Sequence, residues 1–289
     1  MVAIRKKRRK NTPLYRYWQA LYMAFYSRRL YVDVIRQWRG FGAGYVLFVI
    51  TLASIPLSIS MISEFNQYFD EQLVLPFKKL PTFVIKDGNV LFNKPMPYYV
   101  KSNGEVVSII DTTGKIKNID ETPPMVNLLI TKDKIYFRQP AFNWFSSITT
   151  NKGSQDIYEQ SIAGIDYEVF NGTLWLKESG VLRLKRLAQI TTYPVIIASI
   201  YSFYLVVVPV LAFLGQVIAQ AFFQLKLTYK DACRVLAVSA TPEIICFFIF
   251  FTLNLSFRGE GFFLVALLAM YFSYAVLAIK RERTKLVIR

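Results

Sequence analysis

Residues 229–251 read YKDACRVLAVSATPEIICFFIFF, and the apolar part of this stretch is long enough to cross a bilayer. Its centre carries Thr241, Pro242 and Glu243, a proline beside an ionisable side chain. A carboxylate at the centre of a membrane helix costs roughly 2.5 to 3.5 kcal/mol on insertion scales, so it normally faces other helices or a water-filled cavity. Pro242 has no N–H, which leaves the carbonyl of Val238 without its helical partner. The stretch predicts either a small polar site at the membrane midplane or a packed kink whose carboxyl group is protonated or hydrogen-bonded.

The composition of the whole chain is that of a membrane protein with one water-soluble module. The chain has 289 residues, of which 54% are hydrophobic, and its mean hydropathy is positive. This is too apolar for an ordinary soluble domain, and it indicates several spans.

The net charge of +16 is concentrated beside the membrane-spanning segments. Residues 1–39 carry eleven basic residues and one acid, residues 63–190 carry fifteen bases and fourteen acids, and the tail after residue 279 carries five bases and one acid. Cytoplasmic flanks of membrane helices are enriched in lysine and arginine, so this distribution predicts that both termini are cytoplasmic and contact anionic lipids of that leaflet. It does not favour a nucleic-acid partner.

The residue types that carry most enzymatic and metal chemistry are scarce. The chain has no histidine, and its two cysteines, Cys233 and Cys246, both lie in the third predicted span. A disulfide framework is excluded from the soluble module, and a zinc site would have to be built from carboxylates alone. We also find no G-x-S-x-G, H-E-x-x-H or P-loop pattern. We therefore expect no metal, no cofactor and no enzyme, although a Ser–Lys or carboxylate mechanism leaves no mark in spacing.

The predicted architecture is an α+β membrane protein. It has a four-helix transmembrane bundle, an extracytoplasmic antiparallel β-rich domain and N-terminal interfacial helices. The segments in chain order are interfacial helices 1–39, span 40–62, β-rich domain 63–190, span 191–224, a cytoplasmic loop and third span 225–252, outer loop 253–260, last span 261–279 and basic tail 280–289.

Aromatic and basic residues alternate before the first span, where we predict two helices, Leu14–Tyr26 and Leu30–Trp38. Helices of this kind lie in the membrane interface, with rings at headgroup depth and arginines toward phosphate. The predicted headgroup contacts are Arg28, Arg29, Arg36 and Arg39. A compatible alternative is a helix packed under the bundle.

The soluble module shows strands separated by turn signals such as Asp87-Gly88-Asn89, which predict a meander of short antiparallel hairpins. The predicted strands include Lys115–Asn118 and a pair formed by Tyr167–Phe170 and Leu174–Leu176. Three further aromatic residues are expected either in its core or in an apolar patch for a partner, namely Phe142, Trp144 and Phe145.

Three glutamines near the end of the second span repeat every four residues: Gln216, Gln220 and Gln224. This spacing places them on one face of a helix. The face predicts either hydrogen bonding between helices or a polar pathway that would combine with Glu243.

Several stretches, in this order and spacing, resemble a bacterial membrane-protein family catalogued as domain of unknown function 1189. The stretches that carry the resemblance are Phe25-Tyr26-Ser27, Tyr31, Trp38-Arg39-Gly40, Pro97–Lys101, Ile109–Ile116, Leu227-Thr228-Tyr229 and Ala240-Thr241-Pro242. The resemblance covers most of the chain and implies a bacterial inner (plasma) membrane protein whose membrane part is similar to the Yip-type multi-span proteins. The family has no established reaction, so no catalytic residue follows from it.

Two hypotheses about function come from these patterns. The first is a non-enzymatic accessory or scaffold subunit of the cell envelope whose external domain binds a protein partner or lipid. The alternative is a transporter or lipid-handling component that uses the polar midplane site around Glu243.

Overall fold

The computed structural model of the protein describes residues 13–102, 104–138 and 157–287, with side chains up to residue 284. The chain forms two compact units, a helical unit from residues 1–61 and 191–289 and a sheet unit from residues 62–190. The basic cluster at residues 1–10 and the aromatic residues Phe142, Trp144 and Phe145 lie outside the described residues.

Nine α-helices, numbered in chain order, occur in the described part of the chain. They are α1 Tyr17–Met23, α2 Arg28–Gln37, α3 Ala43–Phe69, α4 Leu75–Lys79, α5 Gly172–Glu178, α6 Val181–Phe223, α7 Tyr229–Ser239, α8 Thr241–Thr252 and α9 Glu260–Val287. Four continuous or nearly continuous stretches are long and apolar enough to cross a membrane, namely Ala43–Lys79, Val181–Phe223, Tyr229–Thr252 and Glu260–Thr284. The prediction of four helices long and apolar enough to span a membrane is therefore confirmed, and with the sheets described below the chain has the predicted α+β fold class.

The third span, α7 with α8, is the centre of the helical unit. Its most apolar stretch is 56% buried, against 22–33% in the other three spans. Every side chain from Ala232 to Ser239 is buried. The loop before α3 passes directly against this helix, because a Cβ at Gly42 would lie 2.7 Å from the Cβ of Ala237. Gly42 also has φ +89°, so this close approach requires glycine on two grounds.

The predicted kink in the third span is a break between two helices. Helix α7 ends at Ser239, and Pro242 lies in the first turn of α8. A proline is tolerated there because the first-turn N–H groups have no partner within the helix. The N–H of Ala240 donates to the carbonyl of Leu236 at 2.8 Å and closes the last turn of α7.

Helix α6 has 43 residues and extends past the start of α7. It ends at Phe223, and Gln224 turns the chain with φ +52°. The connection then runs back along α6, because the Tyr229 hydroxyl donates to the carbonyl of Pro209 at 3.2 Å. Roughly the last three turns of α6 therefore lie beyond the start of α7.

The sheet unit contains eight described strands in two sheets. The strands are β1 Phe83–Lys86, β2 Asn89–Leu91, β3 Tyr98–Ser102, β4 Glu105–Ile110, β5 Leu128–Ile130, β6 Lys134–Arg138, β7 Ile157–Ser161 and β8 Tyr167–Phe170. One sheet has the order β2-β1-β8 and the other β3-β4-β5-β6-β7. Strands β4 and β5 are parallel, so the prediction of a purely antiparallel meander was wrong at this point. The chain crosses over between them through residues 111–127, which include a 3₁₀ turn at Ile119–Glu121.

Two predicted strands are absent for local reasons. Residues Lys115–Asn118 form a loop, because the buried carboxylate of Asp111 accepts the N–H of Thr113 at 2.9 Å and of Ile116 at 2.7 Å. Burial would raise the pKa of Asp111, but these bonds and the Thr113 hydroxyl outweigh it and hold the pKa below its ordinary value. Residues Leu174–Leu176 lie in helix α5, because the Asn171 side chain accepts the N–H groups of Thr173 and Leu174 and thereby caps a helix.

Candidate functional site

Glu243 lies in the first turn of α8 and is held by a tyrosine from the second span. The hydroxyl of Tyr204, on α6, is 2.7 Å from both carboxyl oxygens of Glu243. Tyr204 is buried and Glu243 is partly exposed. A hydroxyl has one proton, so it donates to one of the two oxygens at a time. This contact joins α6 to α8 in the apolar part of both spans.

The polar residues on either side of the helix break join two more spans to the third. The Thr241 hydroxyl is 2.8 Å from the hydroxyl of Tyr45 on α3, and both residues are buried. The Ser239 hydroxyl is 3.5 Å from the carbonyl of Tyr271 on α9. The break between α7 and α8 is therefore the place where all four spans are connected through polar groups. Pro242 is buried there but has no donor to contribute.

Gln216 and Gln220 share one face of α6 as the spacing predicts, whereas Gln224 does not belong to it. Gln216 donates to the carbonyl of Leu227 at 2.9 Å and so fastens the connection between α6 and α7. Gln220 is exposed, and Gln224 lies past the end of α6 in a left-handed conformation, which removes it from the helical repeat. Gln216 lies twelve residues after Tyr204, or ~18 Å along the helix, so these amides are not part of the Glu243 site.

The four predicted headgroup contacts, Arg28, Arg29, Arg36 and Arg39, are all exposed. They lie on and just after α2, whose other face is buried through Leu30, Tyr31, Asp33 and Val34. Helix α2 therefore has exposed arginines and an apolar face packed on the bundle, and contact of these arginines with lipid headgroups stays a prediction.

Sequence reasoning missed Arg234, a charged residue buried at the beginning of the third span. One terminal nitrogen of its guanidinium contacts the carbonyl of Trp38 and lies 3.5 Å from those of Val34 and Ile35. The other donates to Asp231 at 2.8 Å. A cation at the last carbonyls of a helix is favourable, because these groups have no partner within the helix and carry the negative end of its dipole. Arg234 therefore caps α2, and its position in an apolar stretch was the available signal.

A second buried charge holds the chain before α1. The carboxylate of Asp33 accepts the N–H of Leu14 at 3.1 Å and of Tyr15 at 3.3 Å. The hydroxyl of Tyr274, on α9, also donates to the carbonyl of Tyr26 at 2.6 Å. The N-terminal helices are thus attached to the bundle through specific hydrogen bonds.

The sheet unit carries an apolar surface that sequence reasoning also missed. In the three-stranded sheet, Val84 is paired with Leu91 on one side and with Val169 on the other, so the three side chains form a row on one face. Leu91 and Val169 are each 51% exposed. Tyr167, two residues from Val169 on the same face, is 68% exposed. We call this surface, formed by Val84, Leu91, Tyr167 and Val169, the outer sheet face.

The opposite side of the same sheet is part of the core, because Phe83 and Ile85 of β1 are 2% exposed. The sheet therefore buries one apolar side and presents a second apolar row to solvent. Alternating burial along a strand normally pairs a buried apolar face with a polar one. Lys86 and Asn89 lie on the same face beside Tyr167, but the row of Val84, Leu91 and Val169 departs from that pattern. The outer sheet face is therefore a candidate contact surface.

Comparison with known families gives one match. Residues 18–277 match a family described as protein of unknown function (DUF1189). The chain belongs to this family. No curated protein and no solved structure matches it.

Three of the stretches that carry the resemblance to this family lie at junctions of the fold. Trp38-Arg39-Gly40 ends α2, and Gly40 has φ +78°. Asp111 organises the loop after β4, and Ala240-Thr241-Pro242 forms the break between α7 and α8. The candidate sites of this DUF1189 protein are Glu243 with Tyr204, the arginines of α2 and the outer sheet face.

Proposed function

We propose that the protein is a non-enzymatic, polytopic membrane protein of the bacterial cell envelope that acts as an accessory or scaffold subunit. In this proposal both termini are cytoplasmic, residues 63–190 lie outside the cytoplasmic membrane, and the outer sheet face binds a protein partner. The observation that carries the proposal is the apolar row of Leu91, Val84 and Val169, whose two outer members are exposed, with exposed Tyr167 beside it. Contiguous apolar patches on a water-exposed surface mark interaction sites, and aromatic residues are enriched in them.

The charge distribution supports the orientation. Bases predominate in residues 1–39 and after residue 279, whereas residues 63–190 are close to neutral. The exposed arginines of α2 then face the anionic headgroups of the cytoplasmic leaflet.

The polar contacts of the bundle support a scaffold. Tyr204 with Glu243 and Tyr45 with Thr241 each join two helices. Such pairs stabilise helix association in lipid.

The experiment is site-specific photo-cross-linking in living cells. A benzophenone amino acid is placed at Leu91, at Val169 and, as a matched control, at Glu168, the preceding residue of β8, whose side chain points to the other face. The proposal predicts a discrete protein adduct from Leu91 and Val169 that is at least several-fold weaker from Glu168. Equal labelling from all three positions, or none from any, contradicts it.

A second function, transport or lipid handling through the bundle, is favoured by a different observation. Glu243 is a partly exposed carboxylate in an apolar span, and intramembrane ionisable residues often serve transport. The test is transbilayer movement of a fluorescent phosphatidylethanolamine in proteoliposomes. Loss of movement in Glu243→Gln, with movement retained in Gln220→Glu as a control for charge at an exposed position, supports this function. Absence of movement in the wild-type protein excludes it for this lipid.

A further inference from the structure

An apolar groove lies between the first and third spans of the helical unit. Its volume is about 400 Å³. It is lined on α3 by Val49, Leu52, Ala53 and Pro56, on α8 and its end by Ile245, Phe248, Ile249, Thr252 and Leu253, and on α1 by Leu21.

The groove has one closed and one open end. Tyr45 and Thr241 are hydrogen-bonded, so α3 and α8 begin near each other. The groove is lined by residues that follow Tyr45 on α3 and Thr241 on α8, so the two helices run in the same direction. Along both helices the groove starts about one turn later and extends to Pro56 and Leu253. Leu21 of α1 contributes at the first end, where Tyr17 of the same helix also contacts the ring of Tyr45. Leu253 at the other end is 61% exposed.

The groove is separate from the Glu243 site. Ile245 follows Glu243 by two residues, which corresponds to ~200° around a helix, so the two side chains lie on opposite faces of α8. What occupies the groove therefore does not depend on the role of Glu243 or on the outer sheet face.

The chemistry of the walls excludes a polar occupant. The only hydroxyl among the lining residues, that of Thr252, donates to the carbonyl of Phe248 at 2.7 Å. A water molecule needs two to four polar partners, which these walls do not supply. Since the groove lies in the apolar lengths of two spans, the medium on its open side is hydrocarbon.

A membrane offers two apolar occupants for the groove, an acyl chain of a lipid and a helix of a second protein chain. The size of the groove distinguishes between them. From Val49 to Pro56 the groove extends ~10 Å, whereas a membrane-spanning helix of a second copy would need contact along ~30 Å. A volume of about 400 Å³ lies in the range of small-ligand sites. One flexible chain fits this space, and a helix of ~10 Å diameter does not.

We infer that the groove binds one acyl chain of a phospholipid, with the headgroup at the Leu253 end and the chain terminus toward Leu21. The space exists because residue 53 is alanine, whose small side chain lies between Val49 and Pro56 on the same wall. The lipid belongs to the leaflet at the Leu253 end of the span. It is a bound lipid, in contrast to lipids that contact the exposed side chains of α6.

The test uses the full chain in vesicles of phosphatidylethanolamine and phosphatidylglycerol that contain a small fraction of phosphatidylethanolamine with a mid-chain diazirine. After irradiation, adducts are mapped to residues by peptide mass spectrometry. The wild-type protein is expected to carry several-fold more label on Leu52, Ile249 and Thr252 than on Val206 and Phe213 of α6. The latter are 65% and 62% exposed and report ordinary lipid contact.

Two variants test whether the label comes from lipid bound in the groove. Ala53→Trp fills the groove and should reduce groove labelling several-fold without changing the label on α6. Ile59→Trp, on the same helix and 64% exposed outside the groove, should change neither. Equal labelling of groove and α6 in the wild-type protein overturns the inference whether or not the variants fold. So does unchanged groove labelling in Ala53→Trp, or a cross-link at Ile249 to a second protein chain.

Discussion

The helical unit and the sheet unit both expose apolar side chains, but the two surfaces have different physical meanings. In the spans, residues such as Phe262, which is 81% exposed, face a medium as apolar as themselves. In the sheet unit, Val169 and Tyr167 are 51% and 68% exposed, and in the proposed placement outside the membrane each Å² of such apolar surface costs ~25 cal/mol. Buried polar groups also play different parts in the two units. In the helical unit they join helices to one another, whereas in the sheet unit the carboxylate of Asp111 shapes a loop. The same residue types thus signal a contact surface in one unit and ordinary solvation in the other.

The largest expected effect concerns the helical unit, where the buried guanidinium of Arg234 contacts the last backbone carbonyls of α2. Arg234→Met should destabilise the helical unit by about 3 kcal/mol, because it leaves the Asp231 carboxylate without its cation and uncaps the C-terminal carbonyls of α2. Denaturation in detergent measures the loss. Accessibility of a cysteine placed at buried Val34 should rise at the same time.

The matched control is Arg36→Met, an exposed arginine on α2 that should change stability by no more than about 0.5 kcal/mol. If both variants have the same stability and the same accessibility at position 34, Arg234 does not hold α2 to the bundle.

The second effect concerns the sheet unit, where a buried carboxylate is satisfied by nearby N–H groups. Asp111→Asn should cost about 2 kcal/mol, because hydrogen bonds to a charged acceptor are lost. The pKa of Asp111 is lowered in the folded state, so the charged group stabilises the fold above its unfolded-state pKa. This stabilisation is lost as the pH falls through the folded-state pKa.

The difference in unfolding free energy between wild type and Asp111→Asn should therefore shrink on acidification. Asp120→Asn, at an exposed residue of the 3₁₀ turn, should show little difference at any pH. A difference for Asp111→Asn that stays constant down to acidic pH would show that the carboxylate charge does not stabilise the loop.

The smallest effect concerns the hydrogen bond between Tyr204 and Glu243. Tyr204→Phe removes the donor to Glu243 and should cost about 0.6 kcal/mol, because inter-helix hydrogen bonds in membranes are weak. Tyr201→Phe, one turn earlier in α6, is the control. A loss of several kcal/mol on Tyr204→Phe alone would show that Glu243 cannot be left without its partner and would strengthen the case for a functional carboxylate.

Elements that depend on local sequence pattern could be predicted from the sequence. Features that depend on tertiary packing or on a crossover connection could not. The spans could be placed because length and apolarity alone define them. Tyr204 could not be assigned to Glu243, since 39 residues separate them and only the packing of α6 on α8 brings them together. Gln224 was misplaced because a helix end is not visible in a four-residue repeat.

In the sheet unit the errors have the same origin. Asn171-Gly172 was interpreted as a hairpin turn, whereas the Asn171 side chain caps α5. The parallel pairing of β4 and β5 requires the crossover through residues 111–127, which turn signals do not reveal. The outer sheet face depends on the pairing of β1 with β8, more than eighty residues away in the chain, so no local pattern identifies it.

The most direct test of the scaffold proposal places the photo-cross-linker at Leu91 and adds a lysine to β8 on one face or the other. Val169→Lys puts a charge into the apolar row, and Glu168→Lys puts the same charge on the opposite side of the same strand. We predict that the cross-linked adduct falls at least tenfold with Val169→Lys and stays within twofold of the parent with Glu168→Lys. Equal adduct yields in the two variants would contradict the assignment of the outer sheet face as the partner-binding surface.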